Sequence, residues 1–212
     1  FYLQLFKCLL NQLRVWSDPC IERIFRLPVG CEESFLELVR LLKFDNRFLQ
    51  TNQPLESFQT TNDSNVEISD SNRRCRKLNN DWACIFGTKN YSTGIHRIQL
   101  KLEKGSINVL MGICSRNKLP IGPLFYNKPT THGWFIHGYM ITNGQGSHSG
   151  WPNVVKPGHI LELTVNCDNQ SITIVNEQTR AQTHMKIDVK EASFPWCLVL
   201  IFNQVDSQVS LV

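Results

Sequence analysis

Residues 146–150 have the spacing of a nucleophilic turn without the nucleophile. In hydrolases that use a G-x-S-x-G elbow, a serine stands at the centre of the turn and exposes its hydroxyl. In this chain the central residue is His148, and Gly146 and Gly150 frame it. We therefore interpret the segment as a glycine-rich binding loop and predict that the chain is not an enzyme.

Histidines at two further positions raise the question of a metal site. His132 and His137 lie five residues apart, and Cys114 or His148 would have to complete a ligand set with them. Zinc sites of the finger type use paired Cys and His ligands at short spacing. The cysteines include no Cys-x-x-Cys pair, and we predict neither a metal nor another cofactor.

Two polar segments with proline and aromatic residues are the strongest candidates for binding, residues 118–132 and residues 143–157. Long loops on a rigid scaffold commonly carry function, and Trp and Tyr are enriched at the energetic centres of interfaces. For Trp151 and Tyr126, packing in the core or at its rim is the alternative. We predict that a protein or peptide partner contacts the following side chains: Tyr126, Asn127, Lys128, His132, His148, Trp151 and Asn153.

A basic cluster at residues 73–77 would suit an anionic partner such as RNA. It has no interleaved aromatic residue on which a base could stack, and charges on a solvated edge strand that block unwanted pairing explain it as well. The net charge of the whole chain is only +4. We therefore do not expect a nucleic-acid partner.

The scaffold that positions these segments is predicted from three alternating runs, residues 95–102, 107–113 and 160–166. Alternation with a period of two gives each strand one buried face and one wetter face. Several such strands, separated by turn residues, predict an antiparallel sandwich or barrel. By this pattern about ten to twelve short strands follow Val66.

The first fifty residues have a different pattern. Apolar residues recur at steps of four and three, which is the stripe of a helix or of a coiled-coil seam: Tyr2, Phe6, Leu9, Leu13 and Trp16. A second helix is predicted over residues 32–49, and a polar linker over residues 50–63. The helical segment, residues 1–49, either packs as a helical pair or ends a coiled coil that would make a homodimer. Both interpretations stay open.

Composition sets the broad class. Hydrophobic residues make up 42% of the 212 residues, which is ordinary for a globular protein with a core. No apolar run approaches the ~20 residues of a membrane helix, so we expect no membrane partner. Eight cysteines in a chain of this length are interpreted as buried reduced thiols, which predicts a cytoplasmic location.

Short motifs between residues 81 and 200 occur in an order that resembles the PRY-SPRY domain family. The opening block is Asp-Trp-Ala-Cys-Ile-Phe-Gly at 81–87, and a serine-glycine turn then leads into the strand at 95–100. A tryptophan-glycine block follows at 133–139, a segment ending in an aspartate turn at 157–168, and a closing apolar strand at 194–200. The resemblance covers residues 64–212.

This resemblance implies a mainly β fold, an antiparallel β-sandwich of SPRY-like, jelly-roll type, preceded by the short α-helical segment. In the family such domains often follow a B-box and a coiled coil in tripartite-motif-like proteins. It implies a protein-interaction module that binds a peptide or a protein surface through sandwich loops. Two alternatives are the substrate-recognition part of an E3 ubiquitin ligase, whose RING would lie upstream, and a lectin-like glycan binder.

Overall fold

The computed structural model describes residues 55–60, 65–105, 108–119, 125–148, 151 and 155–212. Glu56–Val212 form one folded unit, and the predicted helical segment lies outside the described residues. In chain order the described strands are β1 (Phe58–Thr60), β2 (Val66–Ser69), β3 (Arg74–Lys77), β4 (Ala83–Gly87), β5 (Ile95–Lys104), β6 (Val109–Ser115), β7 (His132–Phe135), β8 (Tyr139–Thr142), β9 (Gln145–His148), β10 (Ile160–Asn166), β11 (Ser171–Asn176), β12 (Gln182–Lys186), β13 (Trp196–Phe202) and β14 (Gln208–Leu211).

Among the described residues these strands form two seven-stranded sheets. The first sheet has the order β1-β4-β13-β6-β7-β8-β9, and the second has the order β12-β11-β10-β5-β14-β3-β2. Neighbouring strands pair antiparallel, as β13 does with β6 and β5 does with β10. One core cluster contains side chains from both sheets, among them Trp134 and Leu200 from the first and Leu100 and Leu163 from the second. The predicted mainly β, antiparallel sandwich is confirmed.

The strands of the second sheet show the alternation read from the sequence. In β5, Ile98, Leu100 and Leu102 are at most 4% exposed, whereas Arg97 is exposed. The central strands of the first sheet differ, because every residue of β6 is buried. A strand that is buried on both faces must have apolar neighbours on each side of its sheet. The first sheet therefore has a second apolar cluster on its outer face, and the candidate site lies there.

Within the predicted linker at residues 50–63, Phe58–Thr60 form strand β1. Phe58 is 2% exposed and pairs with Gly87 at the edge of the first sheet. The surrounding polar residues concealed the strand, because an edge strand this short needs only one buried apolar side chain to anchor it.

The basic cluster at residues 73–77 lies in β3, the second strand from its edge, rather than in a solvated edge strand. Alternate residues, Cys75 and Lys77, are buried. Arg76 projects outward, and its Nη2 lies 2.6 Å from Oδ1 of Asp206. The neighbouring Arg74 lies 3.7 Å from Asp70. These two arginines of the cluster therefore form ion pairs with aspartates of the same domain.

A second correction concerns Asn143-Gly144, which was expected to open a long loop. These two residues instead form a tight turn between β8 and β9, with Thr142 paired to Gln145. Their φ angles are 51° and 72°, and positive φ at both central residues is what a type I′ hairpin turn requires. The glycine-rich segment therefore begins as strand β9 rather than as a loop.

The five cysteines within the described ranges are buried and form no disulfide: Cys75, Cys84, Cys114, Cys167 and Cys197. The prediction of buried thiols is confirmed for these residues, while the cytoplasmic location drawn from it stays a prediction. No helix in the described part of the chain has the length and apolarity to cross a bilayer.

Candidate functional site: an aromatic row on the first sheet

The face of the first sheet that points away from the second sheet carries its own apolar cluster. Strands β4, β6, β7, β8 and β13 supply its buried members, which are Cys84, Phe86, Leu110, Cys114, Phe135, Ile141, Cys197, Val199 and Ile201. Trp82, Leu119, Tyr126 and Tyr139 pack against this cluster and are only partly buried. The face is therefore apolar at its centre and has aromatic side chains at its rim.

Within the described residues, six ring side chains on this face form a continuous line of ring contacts. We name them the aromatic row: Trp82, Tyr126, Phe135, His137, Tyr139 and His148. At one end, the ring centroids of Trp82 and Tyr126 lie 4.8 Å apart. Phe135 lies edge-on to both, at 6.3 Å from Trp82 and 5.9 Å from Tyr126. Edge-on and tilted pairs at these separations are favourable arrangements for aromatic rings.

The row continues toward the edge of the sheet. His137 lies 5.4 Å from Phe135 and stacks on Tyr139 at 6.2 Å with an interplanar angle of 18°. His148, at the end of the edge strand β9, meets Tyr139 edge-on at 5.1 Å. Phe135 is buried, His148 is exposed, and the other four rings are partly exposed.

Strand pairing brings these residues together from distant parts of the chain. Phe135, at the end of β7, pairs with Tyr139 at the start of β8, and Tyr139 pairs in turn with His148. Tyr126 reaches the row from the short 3-10 turn Phe125–Asn127. Trp82 immediately precedes β4.

Two glycines fix the local geometry of the row. A Cβ at Gly146 would overlap Cε1 of Tyr139, so the absence of a side chain lets the tyrosine ring lie across β9. A Cβ at Gly144 would stand 2.6 Å from the carbonyl oxygen of Asn127, which places the hairpin turn directly against the 3-10 turn. The row is therefore held by backbone packing as well as by ring contacts.

The structure brings four of the predicted contact residues to this face or its border. Tyr126 and His148 belong to the row, and Asn127 and Lys128 are exposed beside Tyr126. Asn153 lies outside the described residues.

Two predicted contact residues, His132 and Trp151, lie in the interior. Trp151 is 4% exposed and belongs to the core between the sheets, so packing, the alternative kept open for it, describes its place. His132 on β7 is fully buried, because alternate residues of that strand face the core. These two side chains are therefore removed from the proposed contact surface.

Burial also sets the acidity of His132. Removal from water lowers the pKa of its imidazole to about 4, and the negative charge of Asp188 opposes this shift only in part. The backbone N–H of Asn143 donates to Nδ1 of His132 at 3.5 Å. Its Nε2 is buried without a hydrogen-bond partner among the described residues.

The structure does not bring His132, His137 and His148 together into one possible metal site. His132 points into the core, whereas His137 and His148 lie on the opposite face in the aromatic row. Among the residues that the structure describes, no three His, Cys, Asp or Glu side chains are placed to hold an ion.

Sequence reasoning missed four members of the row as contact residues: Trp82, Phe135, His137 and Tyr139. A signal was present, since Phe135, His137 and Tyr139 are rings at steps of two. In the structure these three rings come together because Phe135 and Tyr139 pair across the turn that joins β7 and β8, and His137 lies in that turn. Trp82 belongs to the motif at residues 81–87, which supports the family resemblance but does not indicate a contact residue.

No family model and no curated protein matches this chain. Solved structures do match its fold. The TRIM65 PSpry domain is 12% identical with a TM-score of 0.60, over 79% of this chain and 97% of that domain. The SPRY domain of human HERC1 is 10% identical with a TM-score of 0.59, over 73% of this chain and 96% of that one.

A third match is stonustoxin, 17% identical with a TM-score of 0.56, over 79% of this chain and 28% of the toxin chain. At such low identities the likeness concerns the fold. The described unit has a PRY-SPRY-like fold, and the fold that the motif resemblance implied is confirmed.

Proposed function

We propose that this domain is a protein-interaction module whose contact surface is the aromatic row, together with Asn127 and Lys128. The observation that carries the proposal is the continuous contact of the rings on the outer face of the first sheet. Contiguous apolar surface at the exterior of a soluble protein marks interaction sites, and aromatic side chains dominate the binding energy of interfaces.

The arrangement suits binding because the rings are held in place before a partner arrives. Trp82 and Tyr126 support each other at 4.8 Å, and Tyr139 lies between two imidazoles. Ordering a side chain at an interface costs about 0.5–1.5 kcal/mol. Rings that are already ordered avoid much of that cost, and Tyr in particular offers a large apolar body with a polar tip.

Two narrower functions belong to the same proposal as alternatives. The substrate-recognition part of a tripartite-motif-like ubiquitin ligase is supported by the family resemblance, and finding a RING upstream of this chain would favour it. A lectin-like role is supported by partly exposed rings on which a sugar could stack, and a glycan array would test it. Neither alternative assigns a catalytic step to the domain itself.

The test is affinity capture from cell extract with the full chain as bait, analysed by mass spectrometry. One bait carries Tyr126→Ala and Tyr139→Ala, which remove two rings of the row. A matched control carries Thr173→Ala and His184→Ala, which lie on β11 and β12 of the second sheet. Urea denaturation of each bait confirms that the fold is retained.

The proposal predicts a protein that is captured by the wild type and the control and is lost with the row variant. Equal capture by all three folded baits would show that the aromatic row is not the contact surface.

A further inference from the structure

The sequence that builds the row has an unusual charge distribution. Residues 104–161 contain no aspartate and no glutamate, whereas they contain five basic residues: Lys104, Arg116, Lys118, Lys128 and Lys156. This stretch includes β6 to β9, four of the seven strands of the first sheet. More than half of the strands of that sheet are therefore free of negative side chains, although the whole chain has a net charge of only +4.

Two of these lysines are exposed beside the row. Lys128 follows Tyr126 by two residues, and Lys118 precedes Leu119, which packs on the outer cluster. Neither forms an ion pair within the described part of the chain, whereas Lys104 pairs with Asp206. Arg116 is occupied in a different way, because its guanidinium donates to Asn90.

The acidic group nearest in sequence to the row is Asp81, beside Trp82. It lies at the opposite end of the row from the edge strand β9, and its backbone N–H donates to Asn79. The row thus has an acidic residue next to Trp82 in the sequence, an exposed lysine two residues after Tyr126, and a second exposed lysine next to Leu119. Because residues 104–161 contain basic residues and no acidic ones, the strands that build the row favour a negatively charged partner.

The edge strand β9 indicates the shape of that partner. Thr142 and Gln145 flank a two-residue turn, so they form a hydrogen-bonded pair, and Gly146 and His148 direct their backbone groups away from β8. All four residues of β9 are exposed, and no described strand pairs with its outer side. Edge strands usually carry a charge, a proline or a bulge that blocks pairing, and Gln145–His148 contain no charged residue or proline.

We infer that the aromatic row and the adjoining edge of β9 bind an extended peptide segment with acidic side chains. The segment pairs with the outward backbone groups of Gly146 and His148, places apolar or aromatic side chains on the row, and directs its carboxylates to Lys118 and Lys128. This inference rests on the proposed function and specifies the chemistry of the partner.

The probe is a phage-displayed library of random 12-residue peptides, selected on the immobilised full chain. A charge-reversed form carries Lys118→Glu and Lys128→Glu. Its matched control carries Lys186→Glu and Lys190→Glu, the same change in charge on exposed residues of the other sheet and its following turn. The row variant, Tyr126→Ala with Tyr139→Ala, is selected in parallel.

We expect the wild type and the control to enrich acidic peptides. The charge-reversed form should bind those peptides about 10-fold more weakly, because it replaces attraction with repulsion at two rim positions. A selected peptide is then synthesised with backbone N-methyl groups at alternate positions. One of the two alternating sets should abolish binding and the other should not, since only alternate amides face the neighbouring strand.

Enrichment of neutral or basic peptides whose binding needs the row would overturn this inference and leave the proposed function standing. Acidic peptides that tolerate both methylation sets would overturn the strand pairing. No enrichment on the folded wild type would overturn the inference as a whole. Peptides that bind the row variant as tightly as the wild type would contradict the proposed function itself.

Discussion

Acidification should destabilise this domain through one buried side chain, His132. The imidazole is fully buried on β7 and its pKa is lowered to about 4, against about 6.5 in an unfolded chain. Protonation would turn Nδ1 from an acceptor into a donor facing the N–H of Asn143, and would leave the charge in the core. The folded state therefore resists a proton that the unfolded chain accepts readily.

The sign and size follow from this difference. A lowered pKa in the folded state means that stability is fully present above the unfolded value and decreases as the pH falls toward about 4. Between pH 7 and pH 4.5 the loss is about 2 kcal/mol in the free energy of unfolding. Total stabilities of domains are about 5–15 kcal/mol, so the loss is large enough to measure.

The assay is urea denaturation of the full chain at pH 7, 5.5 and 4.5. His132→Gln removes the titrating group and keeps an acceptor for the N–H of Asn143, so it should lose less stability on acidification than the wild type does. His184→Gln, an exposed change on β12, is the control and should follow the wild type. If the wild type and His132→Gln lost equal stability between pH 7 and 4.5, the assignment to His132 would be refuted.

Three further predictions concern single substitutions. Gly146→Ala should push the ring of Tyr139 out of the row, lowering affinity for a captured partner in pull-down while changing unfolding free energy by less than about 1 kcal/mol. Gly144→Ala should destabilise the domain by about 1 kcal/mol or more in urea titration, because φ is +72° and its Cβ meets backbone. Tyr91→Phe should cost about 1–3 kcal/mol by the same titration, because the buried carboxylate of Glu56 loses the hydroxyl that donates to it; a loss under 0.5 kcal/mol, on the order of a neutral surface change, would contradict that role.

The sandwich itself was predictable because its signal is local. Alternation in β5 and β10 follows from one buried face per strand, and the structure buries the alternate residues Leu161, Leu163 and Val165 as expected. The hairpin at Asn143-Gly144 was also within reach, since Asn-Gly between apolar segments is a strong local turn signal. It was missed because the glycines that follow suggested a loop.

The site was predictable only in part, because it depends on pairing between distant strands. Residues 126–128 were identified from the composition of their segment, and that segment does border the row. The same criterion included His132 and Trp151, although loop composition does not reveal which side chains turn inward. Trp82 joins Tyr126 only once β4, β13, β6 and β7 are assembled in order, and nothing local in the sequence encodes that order.

The most direct test of the central claim is site-specific photocrosslinking in the full chain. A benzophenone side chain replaces Tyr139 in the aromatic row, and in a second form it replaces Thr173 on β11 of the second sheet. The account predicts that a captured partner protein or selected peptide crosslinks at position 139 and not at position 173. If both forms fold and crosslinks occur at position 173 but not at position 139, the contact surface would lie on the second sheet, and the account would be contradicted.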